Sequence, residues 1–202
     1  MKKLLLTILI LSLTLILFTG YGAAVDDSYW DIITEHESLQ DAKDIFTDPY
    51  AGLTRAEFTH VMANLAQAEL HMYIRPWFED VNVYDEYFAA ITWAGVWGIS
   101  QGDDWGDFAP IFSPHRHITR QEGATMLYRY INIYGINLNP AEKDIFADEG
   151  TIAYWAVDAV LALQEAGILQ STDYPDGQFN PNAVLTAGEA ATMFARFILL
   201  TE

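Results

Sequence analysis

The chain has 202 residues, 51% of them hydrophobic and 19% charged, which suits one or two small globular domains with a sizeable core. Its 28 acidic residues outnumber 10 basic ones, giving a formal net charge of -18, so the surface as a whole repels nucleic acid and anionic lipid. The absence of cysteine excludes a disulfide framework, thiolate chemistry and lipid attachment at a cysteine.

At the N-terminus, Lys2 and Lys3 precede an apolar run from Leu4 to Phe18, and small residues follow as far as Ala24. That order predicts a secretory signal peptide over residues 1–24, cleaved after Ala24. The apolar run is shorter than the roughly 20 residues a spanning helix needs. The remainder is expected to be exported and to meet a membrane only during export.

From there the chain repeats itself. Leu53-Thr-Arg-Ala-Glu57 returns as Ile118-Thr-Arg-Gln-Glu122 and as Leu185-Thr-Ala-Gly-Glu189, each a few residues after a proline, Pro49, Pro114 and Pro181. An aromatic stands ahead of each proline, at Phe46, Phe112 and Phe179. Farther upstream, Phe78-Glu-Asp80 opens the second copy and Phe146-Ala-Asp148 the third. Gly98-Ile99 and Gly167-Ile168 follow at nearly equal distances, while the first copy is abbreviated and lacks this pair.

Two helices are expected per full copy. The downstream one carries a buried stripe: Phe58, Val61, Met62 and Leu65, then Met126, Leu127 and Tyr130 after an opening Gly123, then Ala190, Met193, Phe194 and Phe197. The upstream one carries Phe88, Ile91 and Gly95 in copy two and Trp155, Ala159, Val160 and Leu163 in copy three, and stops near Gly98 or Gly167. The stretches Gly102–Asp107 and Asp173–Gly177 read as turns.

Thr followed three residues later by Glu, just before an apolar stripe, is a capping box that satisfies two backbone N–H groups at a helix start. Thr54 with Glu57, Thr119 with Glu122 and Thr186 with Glu189 therefore have a folding role. Arg55 and Arg120 do not, because a cation at the first helical position opposes the helix dipole by a few tenths of a kcal/mol or more. An anion held by the guanidinium and the helix N-terminus would explain them, and so would pairing with a carboxylate of this acidic chain. Spacing leaves both open.

Trp93, Trp97 and Trp155 fall on predicted helices and are expected to be packed, whereas Trp105 lies in an acidic loop and Trp77 just before a repeat boundary, making them the better ring-stacking positions. His115 and His117 lack a third metal ligand. Asp103, Asp104 and Asp107, like Asp173 and Asp176, lack the bidentate Glu of a calcium loop. Glu57, Glu122 and Glu189 are one capping position seen three times, not an acid–base pair, so no enzyme, metal or cofactor is expected.

The order Phe-x-Asp, aromatic helix, Gly-Ile, Asp-Gly loop, Phe-x-Pro and Ile/Leu-Thr-Arg-x-Glu resembles the S-layer homology family, whose modules occur in three tandem copies on exported bacterial proteins. The likeness spans nearly the whole exported chain; in copy one it rests on Phe46, Pro49 and Leu53 to Glu57. It implies an all-α fold of three helix-loop-helix modules around a pseudo-threefold helical core. Their limits would be residues 25–73, abbreviated, 74–136, and 137–202, degenerate.

The resemblance further implies non-catalytic cell-surface anchoring: an anionic secondary cell-wall polysaccharide, often pyruvylated, bound in grooves between modules at the bacterial wall. By position the acidic group would meet Arg55 and Arg120, beside Gly98 and Gly102, with Trp77 and Trp105 available for stacking. Ala187 stands at the family's arginine position in the third copy, which leaves that groove without its ionic contact, and Ser171 replaces the glycine at position 102. The alternative is a scaffold whose modules bind another surface protein or self-assemble.

Overall fold

The structure, a computed structural model, describes residues 27–140 and 145–201; the predicted signal peptide lies outside them. These residues are mostly helical. The α-helices are α1 (Asp27–Glu35), α2 (Arg55–Leu65), α3 (Phe88–Val96), α4 (Arg120–Ile133), α5 (Val157–Glu165) and α6 (Ala187–Thr201), with a 3-10 helix at Glu37–Ile45 and short 3-10 turns elsewhere. No described helix is long and apolar enough to cross a membrane.

The capping boxes start α2, α4 and α6 as the sequence requires. Glu57 accepts from the Thr54 N–H at 2.7 Å, Glu122 from Thr119 at 2.8 Å and Glu189 from Thr186 at 3.1 Å. Immediately before each box the three repeats meet in a closed ring of backbone bonds. The Leu53 N–H donates to the Leu185 carbonyl at 3.0 Å, Ile118 to Leu53 at 3.0 Å, and Leu185 to Ile118 at 2.9 Å. Three chain segments thereby satisfy one another around a pseudo-threefold axis.

Helix packing follows the same rotation. α2 lies against α3, α4 against α5, and α6 against α1. Each pair joins the second half of one repeat to the first half of the next, and the contact of α1 with α6 closes the circle. The apolar stripes face inward: Phe58, Val61, Met62, Met126, Leu127, Met193 and Phe194 are buried. Near the axis Phe58 and Phe194 stack with centroids 5.0 Å apart. Gly123, which interrupts its own stripe, makes room for Leu185 and Phe58, since a Cβ there would lie 2.7 Å from Leu185 and 3.4 Å from Phe58.

The Phe-x-Asp motif ties the upstream and downstream halves of a copy together. Asp80 accepts the N–H groups of Phe112 and Ser113, both at 2.7 Å, and Asp148 those of Phe179 and Asn180 at 2.7 and 2.8 Å. Phe78 packs on Phe112 and Phe146 on Phe179, each at 5.0 Å. In the abbreviated first copy Trp30 of α1 takes this place, edge-on to Phe46.

The two predicted turns differ. In copy two the loop becomes a two-stranded antiparallel hairpin, β1 (Asp104–Trp105) with β2 (Pro110–Ile111). Gly102 permits it, because its φ is +85° and a Cβ would lie 2.6 Å from the Ile111 carbonyl oxygen. With Ser171 in the corresponding place, copy three forms 3-10 turns at Ser171–Asp173 and Pro175–Gly177 instead.

Candidate functional site

Arg55 opens α2, but its guanidinium crosses to the next repeat. Nε donates to the Phe112 carbonyl at 2.7 Å and Nη1 to Glu122 Oε1 at 3.3 Å, with the group 4.8 Å over the Phe112 ring. The residue is 3% exposed. Arg120 repeats the reach one copy later, donating to the Phe179 carbonyl at 2.8 Å and to both oxygens of Glu189 at 3.1 and 2.5 Å, over the ring of Tyr174. The capping glutamate therefore has two tasks, closing its own helix and receiving the arginine of the preceding repeat. Of the two roles that spacing leaves open for these arginines, carboxylate pairing is present in both. In the third junction Ala187 brings no cation to Glu57.

Glu122 carries more than one arginine. Arg116 donates to its two oxygens at 3.1 and 2.7 Å and also holds Asp103 at 2.9 Å. Burial opposes the charge of Glu122. The bonds from Arg116 and Thr119 and the charge of Arg55 outweigh it, and its pKa is lowered. Burial likewise lowers the pKa of Arg55, against the pull of Glu122.

Beside this network lies a groove of about 350 Å³ where all three repeats converge. Arg55 and Glu122 form its floor. Ser100 to Asp103 and Arg129 of copy two, and Tyr154 and Trp155 of copy three, complete its lining. A second groove of about 590 Å³ adjoins it across the Ser100–Asp103 segment and is bordered by Trp77, Gly98, Gly102 and Asp104. Of the residues singled out from sequence, Arg55, Trp77, Gly98 and Gly102 thus gather on one continuous surface, with the backbone of Trp105 in the adjoining hairpin. Arg120 lies in the other junction. Trp77 is 46% exposed and covers Gly95, whose missing Cβ leaves room for the indole.

Sequence reasoning passed over two residues here. Trp155 precedes α5 rather than lying within it and is 43% exposed, unlike Trp93, which is buried. Arg129 makes only two long bonds, at 3.4 Å, to the Ile99 carbonyl and the Gln101 side chain, and no described carboxylate pairs with it. Burial lowers its pKa. Its counterpart Arg196 is held by both oxygens of Asp173 at 2.6 and 2.7 Å and stacks on Tyr29. Burial opposes that charge too, but the bonds from Asp173 and Tyr29 raise the pKa. The signal is in the sequence: Arg129 follows Thr119 at the same spacing as Arg196 follows Thr186.

His117 turns toward the Leu53 carbonyl, and no cluster of three metal-ligating side chains occurs among the described residues. Asp103 is engaged by Arg116 and Ser113, and Asp173 by Arg196.

The segment that contains the Phe146–Asp148 clamp and the third capping box matches a known family of domains. Residues 145–191 form an S-layer homology domain. Over 167 residues, 81% of the chain, the sequence is 28% identical to the exoglucanase XynX of Acetivibrio thermocellus. Over 155 residues, 75% of the chain, it is 28% identical to the surface-layer 125 kDa protein of Lysinibacillus sphaericus. Over 167 residues it is 29% identical to the amylopullulanase of Thermoanaerobacterium thermosulfurigenes. The chain spans 14%, 12% and 8% of these proteins' lengths. The S-layer homology domain and these relatives indicate a cell-surface-associated protein.

Proposed function

We propose that all three repeats are S-layer homology modules and that the protein anchors itself, without catalysis, to an acidic secondary polymer of the bacterial cell wall. The observation that carries this reading is the groove where the repeats converge: a cleft with an arginine that no described carboxylate pairs with, in a chain of net charge -18. Screening over about 8 Å at physiological salt lets that local cation act against the overall charge. The groove is at the small end of ligand sites, which run from roughly 300 to 1,000 Å³, and suits one or two sugar units. Glu57, Glu122 and Glu189 are committed to capping boxes, and the last two to ion pairs as well, which supports binding without acid–base chemistry.

The test is cosedimentation of the purified protein with isolated cell walls before and after their acidic polymer is stripped. Binding that is lost on stripping and weakened by salt is expected; equal binding to stripped walls overturns the reading. A scaffold function has one observation in its favour. Trp97 and Tyr134, at the ends of α3 and α4, form an exposed aromatic pair beside the half-buried Tyr73, whose hydroxyl accepts from Trp97 Nε1 at 2.7 Å. A protein partner docking there would be lost on Trp97→Ala, with wall stripping having no effect.

A further inference from the structure

The two arginines of corresponding position, Arg129 on α4 and Arg196 on α6, sit on the same scaffold and differ in what faces them. Both extend toward the loop that follows the Gly-Ile pair, and both donate to the isoleucine carbonyl there, at 3.4 Å from Arg129 to Ile99 and 3.1 Å from Arg196 to Ile168. In copy three the remaining donors are taken by the carboxylate of Asp173, which lies across the guanidinium fork with one oxygen on each terminal nitrogen. Such two-pronged pairing is the strongest bond a guanidinium makes. Tyr29 of α1 then closes over the cation.

In copy two neither cover is present. The loop runs into the β1–β2 hairpin after Gly102, and besides the Ile99 carbonyl Arg129 meets the neutral Gln101 amide. Instead of Tyr29 there is the open groove walled by Tyr154 and Trp155, at 91% and 43% exposure. The ion pairs differ accordingly. At the first junction Arg55 and Arg116 pair with Glu122 and Asp103 and Arg129 stands outside these pairs, while at the second Arg120 pairs with Glu189 and Arg196 with Asp173. The first thus holds an arginine outside any described ion pair, and the second does not.

We infer that Arg129 receives the carboxylate of an acidic sugar, seated against it as Asp173 is seated against Arg196, with the sugar ring on the exposed face of Trp155. The protein's own third repeat supplies the template for the contact. Arg55, buried and bound to the Phe112 carbonyl and Glu122, is a positioning residue that fixes the floor of the groove, and the ionic contact with ligand belongs to Arg129. A carboxylate is the group chosen because it is the one this scaffold already holds at the equivalent position. The ring platform follows from Trp155 being the exposed indole on the groove wall.

The inference rests on the wall-polymer reading for its ligand, and the test separates the two. Binding of the full chain to isolated cell walls is measured for wild type, Arg129→Gln, Arg129→Lys and Gln101→Glu, on native walls and on walls whose carboxylates have been methyl-esterified. Thermal unfolding of each variant is followed alongside. Arg129→Gln is expected to weaken binding at least tenfold, and Arg129→Lys less, since lysine keeps the charge without the fork. Gln101→Glu places an internal carboxylate beside Arg129 and is expected to weaken binding as much as Arg129→Gln with no loss of thermal stability, which separates a binding effect from a folding one.

Esterification should reduce wild-type binding to the Arg129→Gln level and leave that variant unchanged. If wild type binds walls but Gln101→Glu and Arg129→Gln bind equally well, the assignment to Arg129 falls and the wall reading stands. If esterification weakens the variant as much as wild type, the carboxylate meets another group and the assignment falls. If esterification has no effect while removal of wall phosphate abolishes binding, the ligand is a phosphate and the carboxylate assignment falls. If wild type binds no walls at all, the wall reading falls and the inference with it.

Discussion

The junction between the first and second repeats and the junction between the second and third are assembled from the same parts. In each, an arginine at a helix start reaches the next repeat, donates to a phenylalanine carbonyl, lies over an aromatic ring and meets the glutamate of the next capping box. They diverge in what surrounds that core. At the second junction Asp173 and Tyr29 complete the charge and cover it. At the first, Arg116 crowds onto Glu122, Arg129 stays without a carboxylate, and the space above is open. On the proposed reading the difference separates two uses of one architecture: the second junction holds the repeats together, and the first also has an arginine outside any described ion pair to offer.

Removing the motif arginines tests this most severely. Losing one partner of a buried ion pair costs about 3 to 5 kcal/mol. Arg120→Ala should lie near the lower end, at about 3 kcal/mol, because Glu189 is then left without a described cation. Arg55→Ala should cost less, about 2 kcal/mol, because Glu122 keeps Arg116. Urea unfolding of both variants reads the order directly. The reverse order would mean that burial of Arg55, at 3% exposure, outweighs the remaining charge on its partner.

The hairpin next to the first groove follows. Gly102→Ala strains a residue at φ +85° and presses a Cβ into the Ile111 carbonyl, so it should cost about 1 to 2 kcal/mol and weaken wall binding. Ser171→Gly in copy three, where 3-10 turns replace the hairpin, should leave wall binding unchanged. Parallel melting and cosedimentation of the two variants checks the contrast.

Much of this was legible in the chain. The capping boxes, the stripes of α2, α4 and α6 and the glycine stops are local patterns, fixed by helix geometry within a few residues, and they stand where the sequence places them. Gly123 is visible in the sequence as an interruption and is explained by Leu185 and Phe58, which close on it from the other two repeats. The ring of Leu53, Ile118 and Leu185 was not legible, because its partners are separated by whole repeats and no side-chain pattern encodes a single backbone bond. For the same reason the helices pair between successive repeats rather than within the units that the motif spacing outlines. Arg129 was missed because an arginine inside a helix ordinarily reads as a solvated face; its lack of a carboxylate is a fact of tertiary placement. The partners of Arg55 and Arg120 were hidden by distance too, although the recurrence of Glu at each capping box was in plain view.

The finest contrast concerns Glu122, the carboxylate that serves three donors from two repeats. Its folded-state pKa is lowered, since bonds from Arg116 and Thr119 and the charge of Arg55 overcome the burial that opposes them. A carboxylate whose pKa falls on folding contributes stability that is fully present above its unfolded value, about 4.3, and is lost as pH drops through the lower folded value. The wild-type protein should therefore lose urea stability as pH is taken below about 4.3. Glu122→Gln should be less stable at neutral pH and show a shallower decline over that acid range, because the group that takes up the proton is gone. Equal slopes for the two proteins would mean that Arg116 and Arg55 do not hold Glu122 ionised in the fold. The first junction would then owe its cohesion to the Phe112 carbonyl and the ring beneath Arg55 rather than to charge.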